Sequence, residues 1–298
     1  MRKVYLVLLL ILGGCSTGER EIDISSIKWV QDFGYNTEEV FLFKVSGRIP
    51  GPQIPVYING EKLYMLVDPL FDYMVIKESK IKGIDFEPQR INTKMFLGSE
   101  MMFEEGFVHN VKFLNKEYSD LYILALKKSD LPFRPDGIVG KSFFSNSILT
   151  IDYQNKLLGI KEGPLDFSSG IPEGYKIIKF YMDFTSPGYT SCLKFNGSID
   201  GMNSVITIST FFSISTISPE MVKSIAGGRI PSTYTIDTLR VENQTFTEIK
   251  CIVEEKQLDI DPEGRDLVHL TLGVDFIKDK VLIFSPADSL LLLGQAEK

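Results

Sequence analysis

Three blocks of the chain occur twice and in the same order, which restricts it to two copies of one unit joined by a short connection. "EVFLFKVSGRIPGPQIPVYING" at 39–60 lines up without a gap on "KIIKFYMDFTSPGYTSCLKFNG" at 176–197, a spacing of 137 that sets Gly51 on Gly188 and Gly60 on Gly197. "VKFLNKEYSDLYILA" at 111–125 matches "LRVENQTFTEIKCIV" at 239–253, a spacing of 128 with Asn115 on Asn243. "IVGKSFFSNSILTIDYQNKLLGI" at 138–160 matches "TLGVDFIKDKVLIFSPADSLLLL" at 271–293, a spacing of 133 with Gly140 on Gly273. Loops of unequal length account for the three spacings. The Gly/Pro/Ser-rich "EGPLDFSSGIPEG" at 162–174 separates the copies, giving a first unit over 36–162, a linker over 163–172 and a second unit over 173–298.

The unit is built of strands. "VFLFKV", "IPVYI", "KLYMLV", "LYILAL" and "ILTIDY" are short runs of β-branched and aromatic residues bounded by Gly, Pro, Asn and Asp. Helical periodicity is confined to "KSFFSNS" at 141–147 and "SPEMVKSIAG" at 218–227, the second with a serine before proline as at a helix N-cap.

The N-terminus speaks about compartment. A basic "MRK", nine apolar residues from Val4 to Leu12, and "GGC" ending at Cys15 have the layout of a secretory signal and are too short to span a bilayer. Leu12, Gly13, Gly14 and Cys15 resemble the lipobox of bacterial lipoproteins. That resemblance implies cleavage before Cys15, lipidation of its thiol, a tether over 16–35, and a protein held in the bacterial cell envelope by an N-terminal lipid. A net charge of −7 and a pI near 5.1 give no basic footprint for nucleic acid. Cys192 and Cys251 are a weak disulfide signal in an exported chain.

Each copy resembles a lobe of the retropepsin and pepsin aspartic-peptidase superfamily. The resemblance rests on a strand pair around "ING" or "FNG", an apolar strand ending in a loop that carries Asp68, and the later apolar-apolar-Gly turn, and is strongest over "DGIVGKSFFSNSILTIDYQNKLLGI" at 136–160. It implies a mainly β, bilobal fold of two barrel-like repeats, with a substrate cleft between lobes and one central loop offered by each. Catalysis in that family takes two aspartates close enough to share a proton, so that one is acid and the other base toward a water.

Here the constellation departs from that pattern. Asp68 stands at the first aspartate, but Pro69 replaces the family's threonine and so lacks the hydroxyl that ties the loops together. Leu70 replaces the glycine that lets backbone approach the carboxylates, and Asp72 adds a second negative charge near the first. In the second copy, "SVITISTFFSISTIS" at 204–218 sets Thr207 opposite Asp68, with Ser209 in the same loop, at the cost of a two-residue insertion after Gly197. The conclusion does not hang on that register, because Glu220 is the single carboxylate between Asp200 and Asp237. A hydroxyl can hydrogen-bond a carboxylate but cannot serve as a second acid.

His109 and His269 lack companions at metal-ligand spacing, so neither a metal nor another cofactor is read from the chain. Asp136 and Asp152 read as structural turn and strand residues, and the acidic run at 254–266 as a solvated loop. The expectation is an envelope lipoprotein with an aspartic-peptidase-like fold, without proteolysis, binding an extended peptide or other ligand in its cleft. Two alternatives stand beside it: an endopeptidase whose dyad forms from Asp68 of two chains, and a purely structural envelope protein.

Overall fold

A computed structural model describes residues 22–46, 49–96, 99–114, 116–127, 135–168, 170–182, 193–254 and 268–296, and in these the chain is mainly β. The expected signal segment with Cys15, Cys192 and, apart from Glu254, the acidic run at 254–266 lie outside the described residues.

The N-terminal half forms one sheet in which Ile49–Ile58, Glu61–Val67, Gly137–Val139, Met74–Lys77, Lys116–Leu126 and Ser99–Phe113 follow one another; Ser99–Phe113 also pairs back onto Ile49–Ile58, closing the order into a ring. The C-terminal half repeats that order with Leu193–Ile199, Met202–Ile208, Leu270–Leu272, Thr216–Ile217, Gln244–Val253 and Thr233–Val241, closed by Thr233–Val241 on Leu193–Ile199. In both, the short central strand runs parallel to one neighbour and antiparallel to the other. Both strands are buried on every residue, and Gly137–Val139 is accordingly apolar throughout while Leu270–Leu272 carries a single polar side chain, that of Thr271. Phe86–Phe96, which pairs along Ser99–Phe113 as a long hairpin, has no counterpart among the described residues of the other half.

Turn chemistry fixes the registers. Asn59 and Gly60 both take positive φ (50° and 83°) between Ile49–Ile58 and Glu61–Val67, as a two-residue hairpin demands, and Asp200 and Gly201 do the same (48° and 88°) between Leu193–Ile199 and Met202–Ile208. Gly60 therefore corresponds to Gly201 and not to Gly197, and the spacing through this hairpin is 141 rather than 137. At that spacing no insertion is needed. The spacings of 128 and 133 hold: Phe113↔Lys116 matches Val241↔Gln244 across a turn, and Val67↔Val139 matches Ile208↔Leu272.

A third sheet of six strands takes three from each half, in the order Val40–Leu42, Leu157–Glu162, Ser147–Asp152, Lys280–Ser285, Leu290–Gln295 and Lys176–Lys179. At its middle Thr150 pairs with Ile283, residues separated by the same 133 that relates Gly140 to Gly273, so the sheet places matching positions of the two halves side by side. The apolar core is continuous across the halves, joining Ile54, Leu63 and Phe144 with Phe195, Ile236 and Phe284.

Residues 22–35 are not a free tether. Trp29, Val30 and Tyr35 are buried against Val40, Ile148, Leu157, Val281 and Leu292 of the six-stranded sheet, and the Trp29 indole donates to Asp152 Oδ2 at 3.0 Å. Trp29 and Val30 on the short helix Lys28–Asp32, with Tyr35 just beyond it, bury apolar surface that a solvated tether would leave exposed. The expected helices are Pro219–Ala226, whose Ser218 cap accepts from Met221 N–H, and a 3-10 turn over Lys141–Phe144. No helix among the described residues is long and apolar enough to cross a membrane.

Candidate functional site

Two loops meet where the halves join, and equivalent backbone bonds position them. Asp68 N–H donates to Val139 O just beyond Glu61–Val67, and Ser209 N–H donates to Leu272 O just beyond Met202–Ile208. Ser209 thus holds the place in its half that Asp68 holds in the other, Thr210 that of Pro69, and Phe211 that of Leu70. Thr207, expected opposite Asp68, instead directs its hydroxyl at Leu193 O within its own sheet. The partner of Asp68 is Ser209, two residues further on.

Asp68 is wholly buried. Its Oδ1 accepts from Leu70 N–H at 3.0 Å; its Oδ2 accepts from the Ser209 hydroxyl at 2.7 Å and from Phe211 N–H at 3.0 Å. Burial pushes its carboxyl up from 3.8 to about 6, and these hydrogen bonds, with one from the Thr210 backbone, offset only part of that rise. No acidic side chain among the described residues hydrogen-bonds to it, so there is no second carboxylate with which to share a proton. Thr210 adds a second tie, its hydroxyl donating to Val67 O at 2.6 Å. The reciprocal tie is absent because Pro69 has no hydroxyl, which leaves the loop pair fastened from one side.

The space at the carboxylate is filled by side chains. Leu70 and Phe71 are buried with Leu66, Val75, Phe103 and Leu124, and Phe211 and Phe212 pack partly exposed on the same cluster. The Phe71 and Phe211 rings meet edge-on at 6.5 Å, and the Phe211 and Phe212 rings at 5.2 Å. The third position of each loop, Leu70 in one and Phe211 in the other, thus carries a large apolar side chain. Beside them Tyr73 meets Tyr122 at 5.7 Å and Tyr122 meets Phe107 at 5.4 Å, so an aromatic strip runs from the Ser209 loop toward the long hairpin.

Asp72 does not add charge beside Asp68. It forms an ion pair with Lys141, which is itself almost completely buried. The chain is threaded tightly here: Lys141 N–H donates to Phe71 O and Ser142 N–H to Asp72 O, matched by Val274 to Phe212 O and Asp275 to Ser213 O. A Cβ on Gly140 would lie 2.6 Å from Tyr73 O, and one on Gly273 2.9 Å from Phe212 O, so these two glycines are set by close backbone approach. Asp136 and Asp152 are structural, the first accepting from Tyr64 N–H and the second from Trp29 and Asn155. His109 bonds Asp120 at 2.5 Å, which raises its pKa; His269 Nδ1 accepts from Val205 N–H, and burial lowers its pKa. Among the described residues no three His, Cys, Asp or Glu side chains are grouped to hold a metal ion, and Cys251 is a buried free thiol.

Thr210, Phe211 and Lys141 are the site residues that sequence reasoning passed over. A signal for the first two existed: Ser209-Thr210 keeps the hydroxyl of an Asp-Thr-Gly loop with serine in place of aspartate. Lys141 had none, since a lysine beside a glycine turn reads as exposed. No protein-family model matches the chain, and no curated protein matches it.

Proposed function

We propose that the chain is an envelope lipoprotein with the bilobal architecture of the aspartic-peptidase superfamily, in which peptide-bond cleavage has been lost and the cleft between lobes binds an extended peptide segment. The repeated strand order, the matched registers and the six-stranded sheet shared by the halves support the architecture. One observation carries the loss of chemistry: a serine hydroxyl, not a carboxylate, faces Asp68 at 2.7 Å. Without a second carboxylate no group can activate water while its partner protonates the leaving amine. Leu70 and Phe211 also put large apolar side chains on the loops that carry Asp68 and Ser209.

Binding is supported by the aromatic strip of Phe211, Phe212, Tyr73 and Tyr122, and by the long hairpin over Phe86–Phe96 and Ser99–Phe113, whose outer strand offers backbone groups to an extended chain. The reading in which Asp68 of two chains meet is not favoured, because Asp68 is sealed by Ser209 and Phe211 of its own chain. Anchoring rests on residues 1–15 alone and is tested by fatty-acid labelling, which should be lost in Cys15→Ser.

For the site, the purified chain is incubated with a mixed peptide library from acid to neutral pH, and cleavage and retention are read together. Retention without cleavage is the expected result. Cleavage abolished by Asp68→Asn would overturn the proposal, and the absence of any retained peptide would remove the binding half of it.

A further inference from the structure

A groove of about 730 Å³ lies on the N-terminal half between the hairpin turn that precedes Lys116–Leu126 and the 3-10 turn Lys141–Phe144, and none of its lining belongs to the Asp68 or Ser209 loops. That size lies within the range that holds small ligands. Its aromatic wall is the half-buried Tyr118 ring, which packs on Phe143 at 4.7 Å; Phe143 is buried in turn against the core residue Phe113 at 4.6 Å. Above it stand the hydroxyls of Tyr118, Ser142 and Ser145 and the Asn146 amide, and none of these side-chain groups hydrogen-bonds to another described residue. At the rim Lys116 lies 3.1 Å from Glu162 and donates to Ser147 at 3.1 Å, and Glu117 is paired with the neighbouring Lys112 at 3.2 Å, so the two acids are balanced by two lysines.

The C-terminal half has a groove in the matching place. There Phe246 stands for Tyr118 and Asp275 for Ser142, and the Asp275 carboxylate is already engaged. Asp275 accepts from Ser215, and Lys280 donates to Phe276 O and Asp279. Lys176 and Lys280 cover the Phe246 and Phe276 rings, each at 4.5 Å. Of two grooves with one frame, the second has lysines over its aromatic rings and, among the described residues, the first has none. Uncommitted hydroxyls and an amide set against an aromatic wall, with no net charge at the rim, suit a neutral polyhydroxylated ligand, whose hydroxyls meet the polar groups and whose C–H faces meet the ring. We propose that this groove is a binding site for a neutral saccharide, separate from the cleft.

The test is isothermal titration of the full-length chain with maltotetraose, cellotetraose and the tetramer of N-acetylglucosamine. At least one should bind one-to-one with a Kd below about 1 mM. Ser145→Trp, an exposed position that fills the groove, should weaken that binding at least tenfold with no change in melting midpoint. Thr247→Trp, which fills the matching groove, should leave it as it was. Failure of all three sugars, or affinity unchanged in Ser145→Trp, overturns the site. Retention of peptides but no sugar, lost in Ser145→Trp, reassigns it to a peptide.

Discussion

The Ser209 hydroxyl donates to the Asp68 carboxylate across the junction of the two halves at 2.7 Å, from the position that an equivalent aspartate would occupy. The pair is a tie rather than a dyad: Ser209 supplies a proton to a hydrogen bond and has no acidity to supply to a reaction. Phe211 N–H and the Thr210 hydroxyl reinforce it from the same loop.

Placing aspartate at Ser209 should therefore damage the junction rather than revive it. Two buried carboxylates in contact cannot both ionise, so Ser209→Asp should lose several kcal/mol at neutral pH and recover most of it in acid, where the pair shares a proton. Peptide cleavage should stay absent, since Pro69 still withholds one loop tie and Leu70 and Phe211 still put large apolar side chains on the two loops. Urea unfolding at acid and neutral pH, with a peptidase assay alongside, checks both; activity in the single variant would contradict the packing account.

The Asp68 carboxyl, pushed up to about 6 by burial, makes stability pH-dependent with a definite sign. An acid whose folded value lies above its unfolded value holds its proton more tightly when folded. Its contribution is complete below the unfolded value of 3.8 and is lost as pH rises through about 6. Across that window the wild type should lose about 3 kcal/mol that Asp68→Asn, with no proton to release, keeps. The difference between the two unfolding profiles isolates this group, and superimposable profiles would contradict the assignment.

Gly51 measures how closely the halves approach. A Cβ there would run into Leu66 Cδ1 and the Thr210 carbonyl, so Gly51→Ala must push the Ser209 loop away from its partner. We expect a loss of about 2–3 kcal/mol from this overpacking. Gly60→Ala, in an open turn with positive φ, should cost about 1 kcal/mol. Denaturant midpoints for the two variants rank them, and the reverse order would rule out the contact.

The buried Lys141–Asp72 pair should show strong coupling. Removing one partner breaks a buried ion pair, so Lys141→Val alone should cost about 3–5 kcal/mol. Lys141→Val with Asp72→Ser installs the residues found at the matching positions, Val274 and Ser213, and should recover most of that loss. A double-mutant cycle reads the coupling, and additive effects would mean that the pair contributes nothing.

Docking of residues 22–35 is tested at Trp29. Trp29→Ala should cost about 3–5 kcal/mol through the cavity and the lost bond to Asp152. Protease cleavage within 22–35 should then precede global unfolding. A variant as stable and as protected as the wild type would restore the tether reading.

The sequence by itself determined what depends on local chemistry. Strand-forming runs, the repeat, the capped helix at Pro219–Ala226 and the lack of an aspartate in the second loop are all written in residue identities within a few positions. Register was decided by tertiary structure, and the reason is the two-residue period of a strand. A slip of two exchanges Thr207 for Ser209 and a slip of four exchanges Gly197 for Gly201, yet each keeps the same side chains facing inward. An ungapped match over 22 residues cannot detect an even slip. The positive-φ turn at Asp200-Gly201 does, because it fixes where the hairpin reverses. The buried lysine at position 141 and the docked Trp29 were equally hidden, since each is stabilised by a partner distant in sequence, Asp72 for one and Asp152 for the other.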